Sequence, residues 1–210
     1  MLKQLERSAR SFFYRAKGSH DWDHSLRVHK LCEKIGPVEG ADMVVLSAAA
    51  YLHDIGRLLE DKTKGLLCHA ERGGVLARPV VEKMPLSRGQ KENIIHCIIS
   101  HRFRGKNIPE TIEAKTLFDA DKLDAIGAVG IARAYLFAGE QGARLHSSKK
   151  NIALAEPYGI DDTGYREYVV KLSKIKERMM TEEGRRIARD RHVFMVAFFN
   201  RFLEEYEGER

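Results

Sequence analysis

Between residues 41 and 57 the chain is apolar with little interruption, and the run closes on His53-Asp54-Ile55-Gly56. Met43-Val44-Val45-Leu46 is followed, after Ser47, by Ala48-Ala49-Ala50-Tyr51-Leu52. A helix with apolar residues on every face must be covered on every face, so this segment predicts a central helix enclosed by others. The rest of the sequence supplies them. Residues 22–36 put Val28, Leu31, Cys32 and Ile35 on one helical face, and His24 falls on that face four residues before Val28. Further helices are expected at about 69–83, 88–101 and 114–138, the first ending near Pro85 and the second capped by Ser87. Residues 139–160 hold Gly139, Gly142, Ser147-Ser148 and Gly159 without a sustained pattern, and read as a mobile loop or lid. Two helices close the chain, about 162–180 and 182–206. Thr181 is the expected N-cap of the last, Gly184 an early weakness, and Phe194, Phe198, Phe199 and Phe202 form its broad apolar face. No strand-like alternation and no repeat persists. The expectation is an all-α, single-domain helical bundle over 1–210, with its core at about 20–138 and helices 162–206 packing on it.

Composition narrows function less than pattern does. A chain of 210 residues can fill one core, and 43% hydrophobic with 31% charged residues is the balance of a soluble globular protein. No long uncharged apolar run is present, so no membrane span is expected. The N-terminal residues have helical spacing without the apolar core of a signal peptide, which points to a cytoplasmic location. Cys32, Cys68 and Cys97 are scattered, with no CxxC pair, and read as reduced, small apolar residues rather than a disulfide framework or thiolate zinc site. The net charge of +6 suits a small phosphorylated substrate and equally a weak nucleic-acid contact. It is spread over Arg7, Arg10, Arg15 and Lys17, residues 102–106 and residues 185–191, as solvated helix faces would spread it. No GxxxxGK loop exists, which argues against P-loop nucleotide binding.

The histidines and aspartates say more. His20, His29, His146 and His192 have no context that marks them out and read as surface or ordinary polar residues. His24 and His53 sit in apolar helical faces, where a lone histidine is usually a hydrogen-bonded core residue. Asp54 at the end of a buried helix, and Asp119, Asp121 and Asp124 in an apolar context, change that reading. Each buried carboxylate costs several kcal/mol of desolvation. Lys122 and nearby arginines would offset one; a divalent cation would offset several. Two imidazoles and two carboxylates without thiolate suit Mn, Fe, Ni, Co or Zn, with Mg less natural because of the nitrogen ligands. The spacing is not that of a helical HExxH site, since each ligand comes from a different helix.

The segment His20-Asp21-Trp22-Asp23-His24-Ser25-Leu26-Arg27-Val28, then His53-Asp54-Ile55-Gly56, then Asp119-Ala120-Asp121-Lys122-Leu123-Asp124-Ala125, resembles the HD-domain superfamily of metal-dependent phosphohydrolases. Residues 127–133 and 181–202 resemble a subgroup of small HD hydrolases. The resemblance implies an all-α bundle of the HD-domain type with metal ligands His24, His53, Asp54 and Asp121. It implies hydrolysis of a phosphoester or phosphoanhydride, with a nucleotide as one substrate class, by a water that the metal activates. Asp54 or Asp121 would orient that water. Asp54, His69 and His101 are the implied catalytic residues, the two histidines assisting the leaving group, and Arg57 and Lys122 would hold phosphate oxygens. In relatives with five or six ligands, histidines at the places of His69 and His101 bind a second metal; here a second ion and the lining of a one-ion site both stay open. After His101 the GYP extension of cyclic-dinucleotide phosphodiesterases is missing. His96 lies on another helix face, Arg102 and Arg133 are weaker phosphate candidates, and Arg27 is expected to pair with a core carboxylate. Two alternatives remain: a diiron oxygenase on the same scaffold, and a basic nucleic-acid-binding module without catalysis.

Overall fold

A computed structural model describes residues 1–14, 21–63, 66–102, 107–148 and 151–210. His20, Arg15, Lys17 and the basic run at 103–106 lie outside them. The described residues contain α-helices and short 3₁₀ turns and no strand. By internal contacts the chain divides into two units, residues 1–121 with 180–184, and residues 122–179 with 185–210.

The first unit carries α1 (Leu2–Ser11), α2 (Trp22–Glu39), α3 (Met43–Leu52), α4 (Arg57–Lys62), α5 (His69–Glu82), α6 (Arg88–Ser100) and most of α7 (Ile112–Leu123). Helix α3 is its centre, packed by α1, α2 and α6, with α5 against α4 and α6. Every residue from Val45 to Leu52 is buried, as the apolar run demands. The alanines let neighbours approach closely while Leu46 and Leu52 fill the space between them, and truncating such a leucine costs about 2–5 kcal/mol. Helix starts follow side-chain chemistry. The Asp21 carboxylate accepts from His24 N at 3.1 Å, and Asp42 from Val44 N and Val45 N at 2.9 and 3.3 Å. Ser87 and Gln90 form a reciprocal capping box on α6.

The second unit carries α8 (Gly127–Glu140), α9 (Gly164–Val170), 3₁₀ turns at Ile152–Leu154 and Leu172–Arg178, and all but the start of α10 (Glu182–Tyr206).

Three expected elements differ. The run 41–57 is not one helix: α3 ends at Leu52, the chain turns through residues 53–56, and α4 starts at Arg57. That turn packs so tightly on the start of α5 that a Cβ on Gly56 would lie 2.2 Å from the His69 carbonyl oxygen. The helix expected over 114–138 is broken after Leu123, where Ile126 is extended (φ −128°, ψ 166°) and Arg133 bonds the Asp124 carboxylate at 2.8 Å and its carbonyl at 3.2 Å. The helix expected over 162–180 is α9 followed by the 3₁₀ turn, with the junction at Lys171. The segment read as a mobile loop or lid has internal fixings, an Arg144 N bond to the Ile160 carbonyl at 2.9 Å and buried Ile152 and Ala155; its residues 149–150 lie outside the described set.

Candidate metal centre

Four helices of the first unit deliver imidazoles to one place. His24 comes from the first turn of α2, His53 follows the last residue of α3, His69 opens α5, and His101 follows the last residue of α6. All four are buried, as is Asp54 between them. Asp54 faces two ways. Its Oδ2 lies 3.8 Å from His24 Nε2, and its Oδ1 lies 3.5 Å from His69 Nε2 and 3.6 Å from His101 Nε2. Asp121 Oδ1 adds a second carboxylate 3.3 Å from His24 Nε2.

The positions of His53 and His101 explain their orientation. Each stands at a helix C-terminus, where the last carbonyls lack intrahelical donors. His53 Nδ1 donates to the Ala50 carbonyl at 2.8 Å, and His101 Nδ1 to the Ile98 carbonyl at 2.6 Å. A neutral ring bonded in this way points an Nε2 lone pair into the site. There the nitrogens face each other, His53 Nε2 to His24 Nε2 at 3.4 Å and His69 Nε2 to His101 Nε2 at 3.1 Å. Facing lone pairs at these separations repel, and a proton, a metal ion or a donor such as Arg57 Nη2, 3.3 Å from His69 Nε2, offsets that repulsion. Burial pushes the His53 imidazole down to about 4, so protonation there is disfavoured near neutrality. Burial alone would raise the Asp54 carboxyl, but Arg57, the His101 ring, His53 and His69 outweigh it and hold it well below the usual range.

The donor set fits a divalent cation. His24, His53 and Asp121 form one group, and His53, Asp54 and His101 another, with ligand atoms within 4.8 Å of one another in each. An ion with bonds of about 2.0–2.3 Å spans such separations. A profile of the HD domain family matches residues 21–126, which carry all of these residues. This chain belongs to the HD-domain family.

Full-length relatives agree. The uncharacterised protein YpgQ of Bacillus subtilis is 35% identical over 218 residues, covering 99% of this chain and 96% of the relative. The crystal structure of YpgQ in complex with ADP superposes with a TM-score of 0.75 at 30% identity, over 98% of this chain and 97% of that one. An HD-superfamily hydrolase of Bacillus thuringiensis gives a TM-score of 0.76 at 26% identity, over 98% and 96%.

In this HD-domain protein the three acidic residues of the 119–124 segment have three different fates. Asp119 is fully buried and accepts from Met180 N at 2.9 Å, Thr181 N at 2.7 Å and Thr181 Oγ1 at 2.7 Å. Thr181 Oγ1 in turn accepts from Gly184 N at 3.0 Å, as its expected capping role requires. A Cβ on Gly184 would lie 2.3 Å from Asp119 Oδ2, so the glycine is what lets this carboxylate approach, rather than a weakness in α10. Asp124 is bonded by Arg133 at 2.8 Å. Asp121 Oδ1 lies 3.3 Å from His24 Nε2. The cost of burying the cluster therefore does not fall to one cation: two carboxylates are offset by amides and a guanidinium.

Arg57 stands inside the Oδ1 half of the site. Its Nη2 is 3.4 Å from Asp54 Oδ1 and 3.3 Å from His69 Nε2, and its Nη1 is 3.3 Å from Glu60 Oε2. Lys122 directly follows Asp121 in α7 and is half-buried. His96 Nε2 instead accepts from Glu110 N at 3.0 Å. His146 is not a surface residue: it is buried, its ring 4.6–5.6 Å from those of Tyr165, Phe202 and Tyr206. The residue that sequence reasoning missed is Glu60. It is buried, hydrogen-bonded to His69 Nδ1, and bonded by Arg102 Nη2 at 3.0 Å. Its pairing with Arg57 at i, i+3 looks in sequence like an ordinary solvated ion pair.

Proposed function

We propose that this chain is a one-ion, metal-dependent phosphohydrolase acting on a phosphoanhydride of the nucleotide class. The observation that supports the reading is that His24, His53 and Asp121 gather their ligand atoms in one group and His53, Asp54 and His101 in another, with Asp54 Oδ2 3.8 Å from His24 Nε2. A divalent cation held by these residues would supply Lewis acidity toward a phosphoryl oxygen and would activate water for attack. Asp54, kept ionised by Arg57 and the imidazoles, accepts a hydrogen bond from the attacking water and so orients it. As a weak base it does not retain the proton.

The count of one ion rests on Arg57. A second cation between Asp54 Oδ1 and His69 Nε2 would meet a guanidinium that already touches both. At about 4 Å and an effective dielectric of about 20, that repulsion is on the order of 8 kcal/mol. On this reading His69 and His101 line the site. Burial, opposed by Asp54 and reinforced by His101, Arg57 and Arg102, pushes His69 down to about 2, so it is no proton donor to a leaving group. A leaving group that departs as a stable anion, as from a phosphoanhydride, suits such a site better than a sugar alkoxide. Arg57 and Arg102, with side chains 20% and 31% exposed, are the cations at its edge that meet phosphate oxygens. The ADP complex of YpgQ supports the nucleotide class.

The purified chain loaded with Mn²⁺ is expected to turn over nucleoside di- or triphosphates faster than nucleoside monophosphates or cyclic dinucleotides. Absence of turnover on the whole panel, with metal bound, would overturn the reading. Iron content with oxygen consumption would instead favour the oxygenase, and salt-dependent nucleic-acid binding without turnover the binding module.

A further inference from the structure

His69 differs from its partners in one structural respect. His53 and His101 follow helix C-termini and lean on helix carbonyls, whereas His69 is the first residue of α5. The first turn of a helix presents unpaired amides rather than carbonyls, so this ring finds no backbone acceptor of the kind the other two use. Glu60 occupies that place. Its Oε2 accepts from His69 Nδ1 and lies 3.4 Å from the His69 backbone N, while its Oε1 accepts from Arg102 Nη2.

Arg57 independently reports which nitrogen carries the proton. A guanidinium donates and never accepts, and Arg57 Nη2 lies 3.3 Å from His69 Nε2. The Nε2 atom therefore bears the lone pair and Nδ1 the hydrogen.

We infer that Glu60 is a positioning residue: it selects the Nδ1–H tautomer of His69 and fixes the ring so that Nε2 enters the site as an acceptor. Glu60 does for His69 what the Ala50 and Ile98 carbonyls do for His53 and His101, and all three rings then present the same atom inward. A carboxylate is a stronger acceptor than a carbonyl. Arg102 and Arg57 clamp the carboxylate and set its direction. The role in turnover rests on the hydrolase reading; the tautomer does not.

The test is long-range ¹H–¹⁵N NMR on the metal-free full chain, with His69 assigned by loss of its signals in His69→Gln. Wild-type protein is expected to show His69 as Nδ1–H, with a downfield, slowly exchanging proton. Glu60→Gln keeps an acceptor oxygen, so the tautomer stays and the proton moves upfield. Glu60→Ala loses the slowly exchanging proton. With Mn²⁺ and a nucleoside triphosphate, Glu60→Ala is expected to lower kcat/KM about 10–100-fold, as loss of a supporting partner does, and Glu60→Gln to recover most of it. An Nε2–H ring in the wild type overturns the inference, as does a proton signal unchanged in Glu60→Ala. Should Glu60→Ala not fold, an unshifted proton in Glu60→Gln overturns it equally. If wild-type protein shows no turnover, the hydrolase reading fails while the NMR result still decides the tautomer.

Discussion

The two sides of Asp54 are built from the same side-chain types and yet differ in charge. On the Oδ2 side stands His24, with His53 and Asp121 beside it, two imidazoles and a second carboxylate. Around Oδ1 stand His69 and His101, and with them the Arg57 guanidinium. Histidines at helix ends are thus not enough to define a cation site. The charge beside them decides whether a cation or a substrate anion is welcome.

The largest break in this comparison comes from removing the shared residue. Asp54→Ala is expected to abolish metal binding in a Mn²⁺ titration and to cut kcat/KM by at least about 10²–10³-fold. Separating the sides is the next step. Asp121→Asn should weaken Mn²⁺ binding about 10–100-fold or more, whereas His101→Gln should lower turnover and leave the affinity within a few-fold. Equal losses of affinity from both would place the ion across Asp54 and undo the distinction.

The acidic stretch of α7 supplies a control. Asp119→Ala strands Met180 N, Thr181 N and Thr181 Oγ1, and should cost about 2–4 kcal/mol in urea unfolding with metal affinity unchanged.

Acid sharpens the Oδ2 side. The folded His53 pKa of about 4 lies below its ordinary 6.5, so the unfolded chain takes up the proton first as pH falls. The stability this neutral imidazole contributes is present in full above about pH 6.5 and lost as pH falls toward 4. The loss is on the order of 3 kcal/mol. Urea unfolding of metal-free protein at pH 7 and pH 4.5 measures it; stability rising toward pH 4.5 would contradict the assignment.

Much of this architecture is written locally. The apolar run of α3, the His24 face of α2 and the caps at Ser87 and Thr181 follow from periodicity and side-chain chemistry within a few residues. The residues that meet here stood out in the sequence as polar residues in apolar faces, and their expected role as ligands came from the family resemblance. What could not be read depends on distant partners. Asp119 finds its donors 61 and 62 residues later, so in sequence its burial was one of the costs that a cation would offset. Glu60 looked solvated because its burial depends on Arg102, 42 residues away, and on His69 beyond a turn. The break at residues 124–126 was missed because both sides are helix-forming, and the Asp124–Arg133 bond that spans it has no local signature. No helix among the described residues is long and apolar enough to cross a membrane, as the hydropathy indicated.

The smallest and most specific effect concerns Arg57. Arg57→Ala empties the Oδ1 side of its guanidinium, and a second, weaker Mn²⁺ equivalent is expected to appear in a titration that shows one in the wild type.

One measurement bears on the central claim directly: a crystal structure of the wild-type chain with Mn²⁺, with the ion located by its anomalous scattering. The account predicts one peak within about 2.0–2.4 Å of donor atoms from His24, His53, Asp54 and Asp121. Two peaks, or a single peak bonded to His69 and His101, would contradict it.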